Sequence, residues 1–324
     1  MQGLSKIVMK KSLSIILIIC LFLCSLSLIA CDSFDSDKTS IVCTIIPEYD
    51  WVLNVLGDER DNFNITCLCS NGVDVHSYQA SINDTIKIST CDMFIYAGGE
   101  SQEWVDDVLA NAKKQDKIVI KELDVIGDRA LVEEEINGEE HEDHEHEEEL
   151  DEHVWLSLLN AKLVVNEIAK QLGVIDPTNK DKYLANADAY NAELSSLDEK
   201  YKDAISNSDK KLLLFGDRFP FRYMVEDYSL SYYAAFSGCS TEVNASVGMI
   251  IDLAKKVDDN NLSTVLKLED SDGRIAQKIM ESSSATQVLT LDSMQAITMK
   301  KYNNGHTYLY AMTQNLDVIK LALK

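Results

Sequence analysis

Hydrophobic positions between residues 39 and 121 alternate between short β-rich runs and longer stretches with helical spacing. The β-type runs are 41–46, 63–67, 93–96 and 118–121, and the helical ones are 49–56, 82–90 and 103–112. Strands and helices in alternation predict a parallel sheet covered by helices, since parallel neighbours need a crossover of helical length. Residues 122–152 then read as a long insertion, mostly without structure. Helical spacing returns over 156–172, and Asp176-Pro177 opens a much longer helix over 179–206. Along it Tyr183, Ala187, Tyr190, Leu194, Leu197, Tyr201 and Ile205 recur at spacings of four and three, one continuous apolar stripe. At 1.5 Å per residue that helix is a rod of roughly 40 Å. After it the alternation restarts, with strands at 212–215, 230–235, 264–267 and 287–291 and helices near 221–227, 247–257, 275–281 and 308–323. The expected fold is α/β: two βα lobes with parallel four-stranded sheets, joined by one long connecting helix, with a cleft between them. In open parallel sheets ligands bind beyond the carboxyl ends of the strands, so candidate chemistry is sought just after strands.

The N-terminus adds an address. Lys6, Lys10 and Lys11 precede an uncharged apolar run over 12–30, which ends in Leu28-Ile29-Ala30-Cys31 and gives way at once to polar sequence. A basic segment, an apolar segment and a small residue before the cut describe a secretory signal peptide. The cysteine after the cut makes it similar to a bacterial lipoprotein signal, in which Cys31 is acylated. A plain transmembrane anchor is the alternative, because the run approaches the roughly 20 residues a span needs. Either places the globular part on the extracytoplasmic face of the membrane. The organisation expected is a signal peptide (1–30), a tether (31–38), an N-terminal lobe (39–172), the connecting helix (173–208) and a C-terminal lobe (209–324).

Charge narrows the partners. The chain of 324 residues carries 54 acidic against 30 basic groups, a formal charge of −24. That balance argues against nucleic acid or anionic lipid and fits the handling of cations. Much of it lies in 133–153, EEEINGEEHEDHEHEEELDEH, with eleven Glu, two Asp and no Lys or Arg. Most acidic runs are solvated loops with no ligand. This one also holds His141, His144 and His146 and closes on His153, and imidazoles among carboxylates are a composition that collects transition metals. Three ligand-type residues follow strands or close the loop: His76 in Asp74-Val75-His76-Ser77-Tyr78, His153 itself in Asp151-Glu152-His153-Val154-Trp155, and Asp292 in Thr290-Leu291-Asp292-Ser293. The cysteines beyond Cys31 are Cys43, Cys67, Cys69, Cys91 and Cys239, an odd number whose pairing is not readable; small buried hydrophobes are the expected role for most. His306, in a turn, reads as a surface residue.

These residues sit in segments that resemble the metal-binding family of ABC-transporter substrate-binding proteins, the zinc and manganese solute-binding lipoproteins. The matching pieces are Pro47-Glu48-Tyr49-Asp50-Trp51-Val52, His76-Ser77-Tyr78, Gly98-Gly99-Glu100, Glu103-Trp104, Asp151-Glu152-His153-Val154-Trp155-Leu156-Ser157, Tyr183-Leu184-Ala185-Asn186-Ala187, Gly216-Asp217-Arg218-Phe219-Pro220-Phe221-Arg222-Tyr223 and Thr307-Tyr308-Leu309 with Met312, Asn315 and Leu316. The resemblance implies one metal held in the interlobe cleft and delivered to a membrane permease by a monomeric, lipid-anchored receptor. His76 and His153 match the family's N-lobe histidine ligands and Asp292 a C-lobe acidic ligand. Two imidazoles and a carboxylate suit Zn²⁺, whereas Mn²⁺, the alternative cargo, favours more oxygen donors. The family's further His or Glu at the start of the C-lobe falls here on Arg218 or Gly216, and Glu269 is the candidate to pair with Arg218 or to complete the site, with Gln295 or water as another fourth position. The His-rich insertion fits zinc-type members and reads as an accessory collector. The rival readings are a surface adhesin or metal buffer of the same fold, and an exported zinc hydrolase. The sequence has neither a His-Glu-x-x-His helix nor a nucleophile arrangement for the last, and no catalysis is expected. A continuous helix between the lobes resists bending, so closure is expected to be modest.

Overall fold

A computed structural model describes residues 38–134, 136, 149–240 and 245–324. The expected signal peptide, Cys31 and the loop histidines His141, His144 and His146 lie outside the described residues. Residues from Thr39 to Lys324 form one compact unit built around two sheets.

In the first sheet, β1 (Thr39–Cys43) leads into α1 (Ile46–Leu56), and β2 (Phe63–Cys67) into α2 (Ile82–Thr90). Next come β3 (Met93–Tyr96), α3 (Trp104–Ala110), β4 (Ile118–Lys121) and the short α4 (Glu122–Ile126). The strands pair in parallel in the order β2-β1-β3-β4. β3 is buried at every residue, as expected of a parallel strand with helices on both faces. The first strand ends sooner than its apolar run suggests. Pro47 suits a first helical turn, and the Glu48 carboxylate accepts the Thr44 and Ile45 backbone N–H groups (2.6 and 3.3 Å), so Ile45-Ile46 start a helix instead. The insertion keeps some structure: α4 at its start and an antiparallel bridge between Val132 and Leu150.

α5 (Leu158–Ile175), capped by Ser157 Oγ accepting from Asn160 N (3.1 Å), packs along α6 (Lys180–Ser206). α6 is the long helix, and all seven residues of its expected stripe are buried. It is tied to both sheets' surroundings: Asn186 Nδ2 donates to Val55 O (2.9 Å) and Tyr201 Oη to Met312 O (2.6 Å).

The second sheet runs β5 (Leu212–Phe219), α7 (Arg222–Asp227), β6 (Ser231–Ser237), α8 (Val247–Asp259), β7 (Thr264–Leu268), α9 (Arg274–Glu281) and β8 (Gln287–Leu291). α10 (Met299–Asn303) and α11 (Tyr308–Ala322) complete it, and the strands pair in parallel in the order β6-β5-β7-β8. β5 runs four residues past the expected end, with its register against β6 broken between Phe215 and Arg218. A single apolar cluster includes Ile41 and Trp51 from the first half, Tyr190 from α6, and Phe215 and Tyr308 from the second. Trp155 Nε1 donates to Ser293 O (2.8 Å), and Tyr308 Oη to Trp155 O (2.7 Å), so the halves share buried hydrogen bonds as well as a core. Among the described residues no helix is long and apolar enough to cross a membrane.

Candidate metal centre

Two short 3₁₀ turns bring the first side of the site together. After β2 the chain turns through Val75–Ser77, where Asp74 Oδ1 accepts the His76 N–H (2.9 Å). Asp74 is in turn held by Arg218 Nη2 at 2.7 Å, from the end of β5. His153 opens the turn Val154–Leu156 and is fully buried. Asp151 Oδ1 accepts both the backbone N–H of His153 (2.9 Å) and, at 3.0 Å, its ring Nδ1. The two imidazoles meet with their Nε2 atoms 3.0 Å apart.

A proton on Nδ1 of His153, donated to Asp151, leaves Nε2 with its lone pair facing the partner ring. His76 has Glu152 Oε1 3.0 Å from its own Nδ1, close but not aligned as a hydrogen bond. Glu152 is anchored by the Ser101 backbone N–H (3.1 Å) and the Ser101 hydroxyl. Burial by itself would depress the His153 pKa, but the charge and hydrogen bond of Asp151, with Glu152 and Glu133 behind, outweigh it and hold the imidazole above its ordinary value. Burial would raise Glu152, yet His76 and His153 hold its carboxyl below the usual range. Two facing nitrogens backed by carboxylates make a pocket for a cation.

The C-terminal side is arranged differently. Asp292, just after β8, gives Oδ2 to His306 Nε2 (2.6 Å) and Lys301 Nζ (3.5 Å), while Oδ1 accepts from Met294 N (2.9 Å). Burial pushes its pKa up, and His306 and Lys301 more than reverse that, leaving it below the ordinary value. Glu269, after β7, accepts from Ser293 N (2.7 Å) and Ser293 Oγ (2.9 Å), and burial with the nearby Asp292 pushes its pKa up to about 8. Gln295 lies 2.9 Å from His76 Nε2 through its amide nitrogen and 3.2 Å from Ser293 Oγ, so a chain of polar contacts links Glu269 to the imidazole pair.

Arg218 pairs with Asp74 and, at 3.6 Å, with Asp270, so Glu269 is not its partner. Gly216 is a packing position: a Cβ there would stand 2.4 Å from Ala276 Cα in α9. Neither residue offers a ligand atom. His306 is partly buried against Asp292 and not the free surface residue its turn suggests.

Among the described residues, the one group of three or more His, Cys, Asp or Glu with ligand atoms all within 4.8 Å of one another is His76, His153 and Cys239. Asp292 and Glu269 stand outside it. Cys239 follows β6, and its backbone N–H donates to Glu133 Oε1 (3.0 Å) at the root of the acidic loop. Burial first, then the charges of Glu152, Glu133 and Asp151, push its thiol pKa up. Its place after a strand was the sequence signal available for it.

The family profile described as zinc-uptake complex component A, periplasmic (ZnuA), matches residues 41–322. The zinc-binding lipoprotein AdcA of Streptococcus pneumoniae (strain ATCC BAA-255 / R6) is 29% identical over 303 residues, covering 92% of this chain and 59% of that protein. The chain thus spans about three fifths of the length of that relative. The high-affinity zinc uptake system protein ZnuA of Bacillus subtilis (strain 168) is 26% identical over 296 residues, covering 89% of this chain and 88% of its own. Among solved structures, the Zn(II)-bound ZnuA-like domain of Streptococcus pneumoniae AdcA superposes with a TM-score of 0.71 at 27% identity, over 88% of this chain and 99% of that one.

Proposed function

The chain belongs to the family of periplasmic zinc-uptake complex components A, and we propose on that premise that it is an extracytoplasmic receptor that captures Zn²⁺ and delivers it to an ABC importer. The family is one of metal-binding substrate receptors, not enzymes. The observation that carries the reading is the pair of buried imidazoles with Nε2 atoms 3.0 Å apart and carboxylates behind their Nδ1 atoms. Zinc takes imidazole nitrogen at about 2.0–2.1 Å, which sets neighbouring donors roughly 3.3–3.4 Å apart in a tetrahedral shell, so the rings need part by only a few tenths of an ångström. Nitrogen donors also favour zinc over manganese.

In this reading His76 and His153 supply the first two ligands, and Asp151 and Glu152 hold their rings. Gln295 gives up its contact with His76 Nε2 as the metal arrives. Asp292 contributes a carboxylate by exchanging His306 and Lys301 for the metal, and Glu269 remains on Ser293 as a further negative charge. His141, His144 and His146 act as a collector that raises the local zinc concentration at the cleft. Cys31 carries the lipid that keeps the monomeric receptor beside its permease.

Calorimetric titration of the metal-free protein with zinc tests this. One ion is expected to bind, and the paired substitutions His76→Ala and His153→Ala are expected to abolish the binding. No zinc uptake by the unaltered protein, or unchanged affinity in the double variant, overturns the reading.

A further inference from the structure

We propose that the Cys239 sulfur is a metal ligand contributed by the C-terminal half, a thiolate that takes the place left by Arg218 and Gly216. The inference rests on the zinc-receptor reading and adds to it the ligand that sets which metals are held.

Three observations converge. The Cys239 sulfur and ring nitrogens of His76 and His153 all lie within 4.8 Å of one another. With Zn–S near 2.3 Å and Zn–N near 2.0–2.1 Å, a tetrahedral shell places sulfur and nitrogen roughly 3.5–3.6 Å apart, so the sulfur need only close on the imidazole pair while the two nitrogens part slightly around an ion. Next, the backbone is shaped to bring the thiol there. Gly238 passes so near His153 that a Cβ would stand 2.8 Å from its Cε1, and Glu133 fixes the following N–H. A larger residue at 238 would push the loop off the imidazole and carry the sulfur with it. Finally, the other candidates on this side are engaged elsewhere before a metal arrives, and Asp292 and Glu269 stand outside the cluster: Arg218 lies between Asp74 and Asp270, Asp292 is held by His306 and Lys301, and Glu269 by Ser293.

Binding replaces the thiol proton with the dication, as happens when a metal takes a thiolate. The S–H proton leaves to solvent and the sulfur lone pair forms the bond to zinc. A His₂Cys set with a fourth position for Asp292 or water is a borderline-soft site. It favours Zn²⁺ and Cd²⁺ and disfavours Mn²⁺, which prefers oxygen.

The test uses the mature lipid-free chain, loaded in turn with Co²⁺, Zn²⁺, Cd²⁺ and Mn²⁺, alongside Cys239→Ser and Cys239→Asp. The cobalt form of the unaltered protein is expected to show a sulfur-to-cobalt charge-transfer absorption that both variants lose. Zinc affinity in Cys239→Ser is expected to fall by about 100-fold, the upper end of what losing even an outer-shell partner costs. Cys239→Asp is expected to narrow the preference for zinc over manganese. The same circular dichroism in all three proteins shows that folding is not the cause. Zinc bound without the absorption, or with equal affinity in Cys239→Ser, overturns this assignment and leaves the receptor reading standing. Failure of the unaltered protein to bind zinc overturns both.

Discussion

The imidazole side of the centre and the carboxylate side differ in what holds their ligand atoms before any metal arrives. His153 is fully buried, with Asp151 fixing both its backbone and its ring, and His76 is fixed through the Asp74 cap and the Arg218 pair behind it. Their Nε2 atoms already face one another, 3.0 Å apart. On the C-terminal side, Asp292 and Glu269 are engaged with His306, Lys301 and Ser293, and Gln295 lies 2.9 Å from His76 Nε2. One side is therefore preorganised and, in the proposed reading, sets the place of the metal. In that reading the other must exchange partners to reach it, and so is the natural point at which capture and release would be controlled.

If that contrast is right, loosening the preorganised side has the larger effect. Asp151→Asn keeps the shape but weakens the hold on the His153 ring and its tautomer, and zinc affinity is expected to fall about 10–100-fold, as for other outer-shell partners of metal-bound histidine. Equal affinity in calorimetry would break the comparison on its stronger side. Asp292→Asn is expected to cost less, about 10-fold or under, because part of what the carboxylate gains from the metal is already supplied by His306 and Lys301. A loss larger than that of Asp151→Asn would reverse the ranking and make Asp292 a dominant ligand.

The smallest expected effect is on the stability of the metal-free protein, where one carboxyl from each side should respond to pH in opposite senses. The Glu152 carboxyl is held below its ordinary value, so its contribution is present above about pH 4.5 and lost as the pH falls through the folded value. Glu269 is raised to about 8, so its contribution is complete below about pH 4.5 and lost as the pH rises toward 8. Thermal midpoints measured from about pH 3 to 9 are expected to lose part of their acid slope in Glu152→Gln and part of their alkaline slope in Glu269→Gln. Slopes unchanged in both variants would mean that neither carboxyl is perturbed as described.

Much of the fold was legible in the chain because short runs of β-branched and apolar residues alternate with stretches of helical spacing. The strands at 63–67, 93–96, 118–121 and 287–291 end where the runs end. Reading failed where local chemistry and tertiary use diverge. Ile45-Ile46 look like strand but begin α1, and the polar Asp217-Arg218 look like a loop but continue β5, where Asp217 Oδ2 accepts the Leu268 N–H across the sheet at 3.1 Å. The candidate ligands His76 and His153 were visible because each lies in a short motif at a strand end or loop end. The pairing of His306 with Asp292, and the approach of Cys239 to the histidines, were not. Each joins residues whose nearness is decided by how α10 and the loop after β6 pack, and no spacing along the chain records that.

Anomalous diffraction at the zinc edge from crystals of the loaded protein tests the central claim most directly. The account places a single strong peak between the Nε2 atoms of His76 and His153, about 2.0–2.1 Å from each. A peak bonded to neither imidazole, or zinc seated at Asp292 and His306 instead, would contradict it.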